Sequence, residues 1–320
     1  MNSASRLHLR RREFLGLASG AAAASVAPKR VAATAPQADG IPDGDIDAHV
    51  HVWSADTGRY PLKPGFQKEK MRSPSFTPED LFAHTRPAGV GRVVLIQMSY
   101  YGYDNSYMLD MMRTHKGIFS GVAVIDPDDA PKEKISDLIR RGVRGFRISP
   151  GQASPDRWLD GDGMATMWQC AANHGLAMCP LLNPGHLPAL DRMAERFPDT
   201  PVVIDHLARI GVDGQFRESD IEGLCALKRH RKVHVKVSAF SALGLKRAPY
   251  LDLAPLIRRV FDAFGPERLM WATDGPWQMM GEHRYIDSIE LIRSKLDFLS
   301  DQDRQWILRK TAEKVFFQPA

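Results

Sequence analysis

From Asp45 onward the chain alternates eight short, β-rich apolar runs with amphipathic stretches, and that alternation limits its possible folds more than any single motif does. The runs span 45–52, 92–99, 119–126, 143–148, 176–182, 201–206, 232–238 and 268–273. Helical periodicity predicts a helix after each, at 77–86, 104–115, 131–141, 162–174, 187–197, 218–229, 252–264 and 284–298, with a last one near 301–317. Pro and Gly punctuate the junctions, among them Pro78, Pro127, Gly142, Gly175 and Gly265-Pro266. Eight β-then-α units in one domain predict an α/β fold, the (β/α)8 TIM barrel, over residues 45–320, with its functional site at the C-terminal ends of the strands. An open doubly wound sheet is the alternative. It is disfavoured because the first run lacks a glycine-rich phosphate turn and no GxGxxG occurs in the chain.

A barrel requires functional side chains to gather where its strands end, and the polar residues do fall there. In Asp47-Ala48-His49-Val50-His51 the polar residues alternate with Ile46, Ala48, Val50 and Val52, so an extended strand places Asp47, His49 and His51 on one face. Gln97 and Ser99 end the second run, Arg147 the fourth, His206 the sixth, Lys236 and Ser238 the seventh, and Asp274 follows the eighth. Three imidazoles, His49, His51 and His206, with the Asp274 carboxylate form a donor set suited to one divalent metal such as zinc. The plainer readings are solvated histidines at a strand end, a hydrogen-bonded core histidine and a turn-forming aspartate.

Several segments in this order and spacing carry a family likeness: Asp-Ala-His-Val-His-Val-Trp at 47–53, Val-Leu-Ile-Gln at 94–97 with Asp104-Asn105, Gly-Val-Arg-Gly-Phe-Arg at 142–147, Val-Ile-Asp-His at 203–206, Val-Lys-Val-Ser at 235–238 and Trp-Ala-Thr-Asp-Gly-Pro-Trp at 271–277. They resemble the amidohydrolase superfamily, specifically its amidohydrolase-2 group, and within it the lactone hydrolases, including the pyrone dicarboxylate and sugar lactonase types. The resemblance implies that His49, His51 and His206 surround the reacting carbonyl and that Asp274 handles the water. It departs from the metal-dependent decarboxylases in the fifth run, Leu176 to Asn183, which has no histidine. It also departs at Thr273-Asp274-Gly275-Pro276, where the family often shows Ser-Asp-Trp-Pro.

These residues point to hydrolysis of a cyclic ester, with Asp274 as general base and the imidazoles polarising the carbonyl directly or through a metal. Sequence leaves metal-dependent and metal-free operation open. Arg147 and Arg209 indicate an anionic small-molecule substrate, because guanidinium binds carboxylates bidentately. Gln97, Ser99, Tyr101 and Asn105 are further candidates for the pocket lining, while Lys236 is better read as bridging carboxylates inside the barrel. A metal-dependent decarboxylase of an aromatic or muconate-type acid, and a non-catalytic binding barrel, are the alternatives.

The N-terminus reads as an export signal. Arg10-Arg11-Arg12 precedes Phe14-Leu15 and a weakly apolar, Ala-rich run to Ala27, with small residues for cleavage after Val31-Ala32-Ala33. This predicts a twin-arginine signal over 1–33, a linker over 34–44, export through the twin-arginine machinery and a periplasmic location. The apolar run is too short and too rich in Ala, Gly and Ser to remain as a membrane anchor. Residues 1–33 hold six Lys/Arg and one acid, the whole of the chain's +5, so the remainder is formally neutral and offers no overall field for nucleic acid. Cys170, Cys179 and Cys225 form no CxxC or disulfide framework and read as mostly buried thiols.

Overall fold

The computed structural model describes residues 43–318 apart from Ala130 and Gln152. The signal expected over 1–33, and most of the 34–44 linker, lie outside the described residues. Eight parallel strands follow one another round the sheet in chain order: β1 (Asp45–Val50), β2 (Val90–Ile96), β3 (Phe119–Ala123), β4 (Val143–Ile148), β5 (Ala177–Pro180), β6 (Val202–Ile204), β7 (Val233–Val237) and β8 (Leu269–Trp271). Helices α1 (Pro78–Thr85), α2 (Ser106–Thr114), α3 (Pro131–Arg140), α4 (Asp162–His174), α5 (Leu187–Arg196), α6 (Glu218–Ala226), α7 (Ala254–Phe264) and α8 (Tyr285–Glu290) return the chain between strands. This is the (β/α)8 barrel that the periodicity predicts. The first helix starts where its residues require, with Thr77 and Asp80 closing a capping box ahead of Pro78.

The ring closes between β1 and the chain just after β8, and the closure is where the polar residues meet. The His51 N–H donates to the Gly275 carbonyl at 2.8 Å, and the Asp274 N–H donates to the His49 carbonyl at 3.0 Å. The buried Asp47 carboxylate completes the seam, accepting from the Thr273 N–H at 3.0 Å, the Thr273 hydroxyl at 2.5 Å and the Tyr285 hydroxyl at 3.0 Å.

One expectation is corrected here. Asp47 does not share a face with the two histidines, because the register slips within β1: Asp47 pairs with Val93 but Val50 with Leu95, three residues against two. Ile46 and Ala48 therefore join the barrel interior with Val94 and Ile96, Asp47 turns outward to Tyr285, and His49 and His51 turn inward after the slip. A strict alternation would have sent either the carboxylate or the imidazoles to the wrong side.

The strands are shorter than the apolar runs. β2 ends at Ile96, so Ser99 opens a short 3-10 turn (Ser99–Tyr101); β6 stops at Ile204 and β8 at Trp271. The final helical stretch is one path broken by a wider turn: α9 (Asp301–Gln305), a π turn at Trp306–Lys310, and α10 (Thr311–Phe316). Ala312 and Phe316 enter the interior cluster and the Ser120 hydroxyl donates to the Phe316 carbonyl, so α10 plugs the end of the barrel opposite the histidines. All three cysteines are free; Cys179 lies inside the barrel, where burial pushes its thiol up to about 12, while Cys170 and Cys225 are half-buried. Among the described residues no helix is long and apolar enough to cross a membrane.

Candidate active site

Three imidazoles converge on one carboxylate oxygen at the open end. The Nε2 atoms of His49 and His51 each lie 3.5 Å from Asp274 Oδ1, His206 Nε2 lies 3.7 Å from it, and His49 and His51 face one another at 3.3 Å. The histidines are buried and the Asp274 side chain is 17 % exposed, so the carboxylate is the group that meets an entering ligand. The structure thus brings together the four residues that the strand ends suggested.

Each ring is aimed by what holds its other nitrogen. His51 Nδ1 donates to the Ile96 carbonyl at 2.9 Å, which aims its Nε2 at the cluster. His206 Nδ1 hydrogen-bonds the Ser238 hydroxyl at 2.8 Å. His49 Nδ1 lies 3.2 Å from both the Asp205 carboxylate and the Lys236 ammonium. If the ring donates to Asp205, its Nε2 lone pair faces the Asp274 carboxylate and calls for a cation between them. If it accepts from Lys236, His49 presents an N–H and can polarise a carbonyl itself.

The donor spacing fits a metal. Separations of 3.3 to 3.5 Å among His49 Nε2, His51 Nε2 and Asp274 Oδ1 match the edge of a tetrahedron whose metal–ligand bonds are ~2.0–2.2 Å, the range for zinc bound by imidazole and carboxylate. His49, His51 and Asp274 would hold such an ion, with His206 beside them.

Beneath the cluster lies a buried charge network. Lys236, fully buried on β7, stands 3.0 Å from Asp205, and Arg147 Nε stands 3.4 Å from the other Asp205 oxygen. Burial drives the Asp205 carboxyl upward, but Lys236, Arg147 and His49 together outweigh it and hold Asp205 well below the usual carboxylate range. Burial, then the Lys236 charge, holds His49 well below the ordinary imidazole value. Burial pushes His206 down to about 4, against the pull of Asp274. For Asp274 burial raises the carboxyl, while His206 and His51 outweigh it and leave it lowered. At neutral pH the site therefore pairs an ionised Asp274 with neutral His49 and His206 rings.

The segment carrying His206 is strained. His206, Leu207, Ala208 and Arg209 have φ of 55, 51, 54 and 58°, four consecutive non-glycine residues in the left-handed region. Such backbone costs roughly 1–2 kcal/mol per residue and persists only where its surroundings impose it. It turns the chain sharply after Ile204, so that Asp205 keeps the inward face of β6 and His206 still reaches the mouth.

The other candidates divide. Arg147 stays mostly buried on β4, and Arg209 is half-buried, its side chain making no hydrogen bond or ion pair among the described residues. Gln97 donates to the Asp104 carbonyl, and Asn105 clasps Tyr103 and Val124 through backbone bonds, so both amides hold loops together. Tyr101 is buried among Tyr60 and Tyr107, accepts from the Ser54 N–H, and has its hydroxyl pushed up to about 12 by burial; Ser99 is exposed. Asp205 and Ser238, which hold His49 and His206, are the site positions that motif reading underweighted. Asp205 shares the inward face with Val203, which the alternation of Val202-Val203-Ile204-Asp205 already implied. β5 offers Cys179 to the interior and no imidazole.

Comparisons with known proteins agree with this architecture. The L-fucono-1,5-lactonase of Burkholderia ambifaria is 31% identical over 245 residues, covering 74% of this chain and 82% of the relative. The 2-pyrone-4,6-dicarboxylate hydrolase of Comamonas testosteroni is 28% identical over 260 residues, covering 78% and 82%. A crystal structure of a putative 2-pyrone-4,6-dicarboxylic acid hydrolase from Pseudomonas putida superposes with a TM-score of 0.72 at 27% identity, covering 86% of this chain and 97% of that one. The amidohydrolase family model, Amidohydro_2, matches residues 46–318, nearly the whole described barrel, and the chain therefore belongs to the amidohydrolase family.

Proposed function

We propose that this protein hydrolyses a lactone that carries a carboxylate or is derived from a sugar. The observation that carries this reading is the convergence of three imidazole nitrogens on one oxygen of a partly exposed, ionised Asp274. Asp274 removes a proton from water, and the oxygen attacks the lactone carbonyl. The imidazoles stabilise the tetrahedral oxyanion as it forms. The ring C–O bond then breaks, and Asp274 returns the proton to the departing alkoxide, leaving an open-chain hydroxy acid. A divalent ion on His49, His51 and Asp274 would supply Lewis-acid polarisation of the carbonyl and lower the pKa of bound water towards ~7. Arg147 and Arg209 are the groups suited to a substrate carboxylate. Lactone-hydrolysing relatives support the same reading, and the absence of an imidazole on β5 weighs against a decarboxylase.

Asp274→Asn tests the proposal. Turnover in a screen of lactones, with and without added Zn²⁺, should fall by at least about 10³-fold while ligand binding and the circular dichroism spectrum persist. Release of carbon dioxide, or a variant that retains the wild-type rate, would overturn it.

We also propose that residues 1–33 direct export through the twin-arginine route, with the barrel acting in the periplasm. The paired arginines before Phe14-Leu15 support this. Replacing Arg11 and Arg12 together by Lys should leave uncleaved precursor in the cytoplasmic fraction; unchanged periplasmic recovery would refute it.

A further inference from the structure

Between the segments that leave β6 and β7 lies one buried hydrogen bond whose direction decides what His206 can do. His206 Nδ1 and the Ser238 hydroxyl are 2.8 Å apart, His206 is buried and Ser238 fully so, and among the described residues Ser238 is the ring's one hydrogen-bond partner. The exits of β6, β7 and β8 all pass through left-handed backbone at a non-glycine residue: His206 at φ 55°, Ala239, next to Ser238, at φ 57°, and Asp274 at φ 67°. Such backbone persists only where its surroundings impose it, and it clusters where side chains must be held in one place.

The outer partners of the rings differ in kind. His51 Nδ1 faces the Ile96 carbonyl, which can only accept, so the proton in that bond belongs to the ring. His206 Nδ1 faces a hydroxyl, which can accept or donate. Two acceptors compete for the Ser238 proton, His206 Nδ1 at 2.8 Å and the Lys236 carbonyl at 3.4 Å. The His206 ring, pushed down to about 4 by burial, has a single proton to place at neutral pH. Were it on Nδ1, the Nε2 lone pair would face the ionised Asp274 oxygen at 3.7 Å, two electron-rich atoms opposed in a buried site. With the proton on Nε2, an N–H dipole faces that anion and the Ser238 hydroxyl donates along its shorter contact.

We propose that Ser238 is a positioning residue of the reaction: its hydroxyl donates to His206 Nδ1 and thereby keeps the ring's proton on Nε2, as a donor for the carbonyl oxygen of the lactone. This role rests on the lactonase reading, because His206 can offer an N–H to the developing oxyanion only in this tautomer. Ser238 itself touches no reacting atom; it acts through the ring that it holds.

Proton–nitrogen correlation spectra of the histidine rings at neutral pH, with the His206 signals identified by their loss in His206→Gln, read the tautomer without any substrate. A proton on Nε2 is expected in wild type. A proton on Nδ1, whether the hydrogen bond runs the other way or an ion sits on Nε2, would overturn the proposal. Ser238→Ala should shift part of the His206 population to the Nδ1 proton and lower kcat by about 10–100-fold with KM little changed. Ser238→Thr, which keeps the hydroxyl, should restore the wild-type spectrum and most of the rate. A Ser238→Ala protein with the wild-type tautomer and rate, or equal loss in both folded variants, would also overturn it. Should Ser238→Ala fail to fold, the wild-type spectrum and Ser238→Thr still decide. If wild type opens no lactone, the catalytic reading fails, while the spectra still decide whether Ser238 sets the His206 proton.

Discussion

At the residue scale the candidate site is governed by groups buried beneath it. Lys236 is fully buried with Asp205 and His49 as its polar neighbours, so its charge cancels one carboxylate and suppresses protonation of one imidazole. Lys236→Met keeps the bulk and removes the charge. It should cost about 3–5 kcal/mol of stability, as breaking a buried ion pair does, and move His49 back toward its ordinary range. Urea denaturation reads the first effect and NMR titration of the imidazoles the second; unchanged stability would mean that Asp205 is neutralised by Arg147 alone. Much of this level was legible in sequence. His49, His51, His206 and Asp274 were readable from their strand-end positions, and Lys236 as an internal bridge from its apolar neighbours. The orientation of Asp47 was not, because a register slip is a property of a strand pair and leaves no mark in one strand's alternation.

At the element scale the number and order of strands follow from periodicity, but the ends of elements do not. The runs through Ser99, His206 and Thr273 continue the β pattern past the last ladder residue, so the apolar alternation outlasts the backbone pairing that defines each strand. The left-handed turn at His206–Arg209 is illegible for another reason: its residues all disfavour that backbone, and only the packed surroundings hold it there. Gly145 on β4 shows a demand that sequence does announce. A Cβ there would lie 2.7 Å from the Ala177 carbonyl oxygen, so the close approach of β4 and β5 needs glycine. Gly145→Ala should destabilise by about 1–3 kcal/mol and displace Arg147, two residues on, raising KM for anionic lactones more than for neutral ones. A wild-type urea midpoint would show that the two strands can part without cost.

At the scale of the whole molecule, a plug at one end and a polar mouth at the other leave buried titratable groups whose protonation must follow folding. His234 on β7 donates to the Lys232 carbonyl at 3.0 Å and lies away from the histidine–aspartate cluster, near Arg268 and Lys314. Burial pushes it down to about 4 from an ordinary value of 6.5. The unfolded chain therefore binds this proton more tightly than the folded one, so the stability is fully present above pH ~6.5 and is lost as pH falls from there towards ~4. Between pH 7.5 and 4.5 this single group removes up to about 3 kcal/mol, at 1.36 kcal/mol per pKa unit. Asp47 acts with the opposite sign: burial raises it to about 6, so the folded chain holds that proton more tightly and acid favours folding between pH ~4 and 6. The two windows overlap, and the net slope alone cannot assign either. His234→Asn keeps a side-chain N–H for the Lys232 carbonyl and removes the titration, so its thermal midpoint should fall less steeply than that of wild type from pH 6.5 to 4.5. Parallel curves would place the acid sensitivity of the barrel elsewhere.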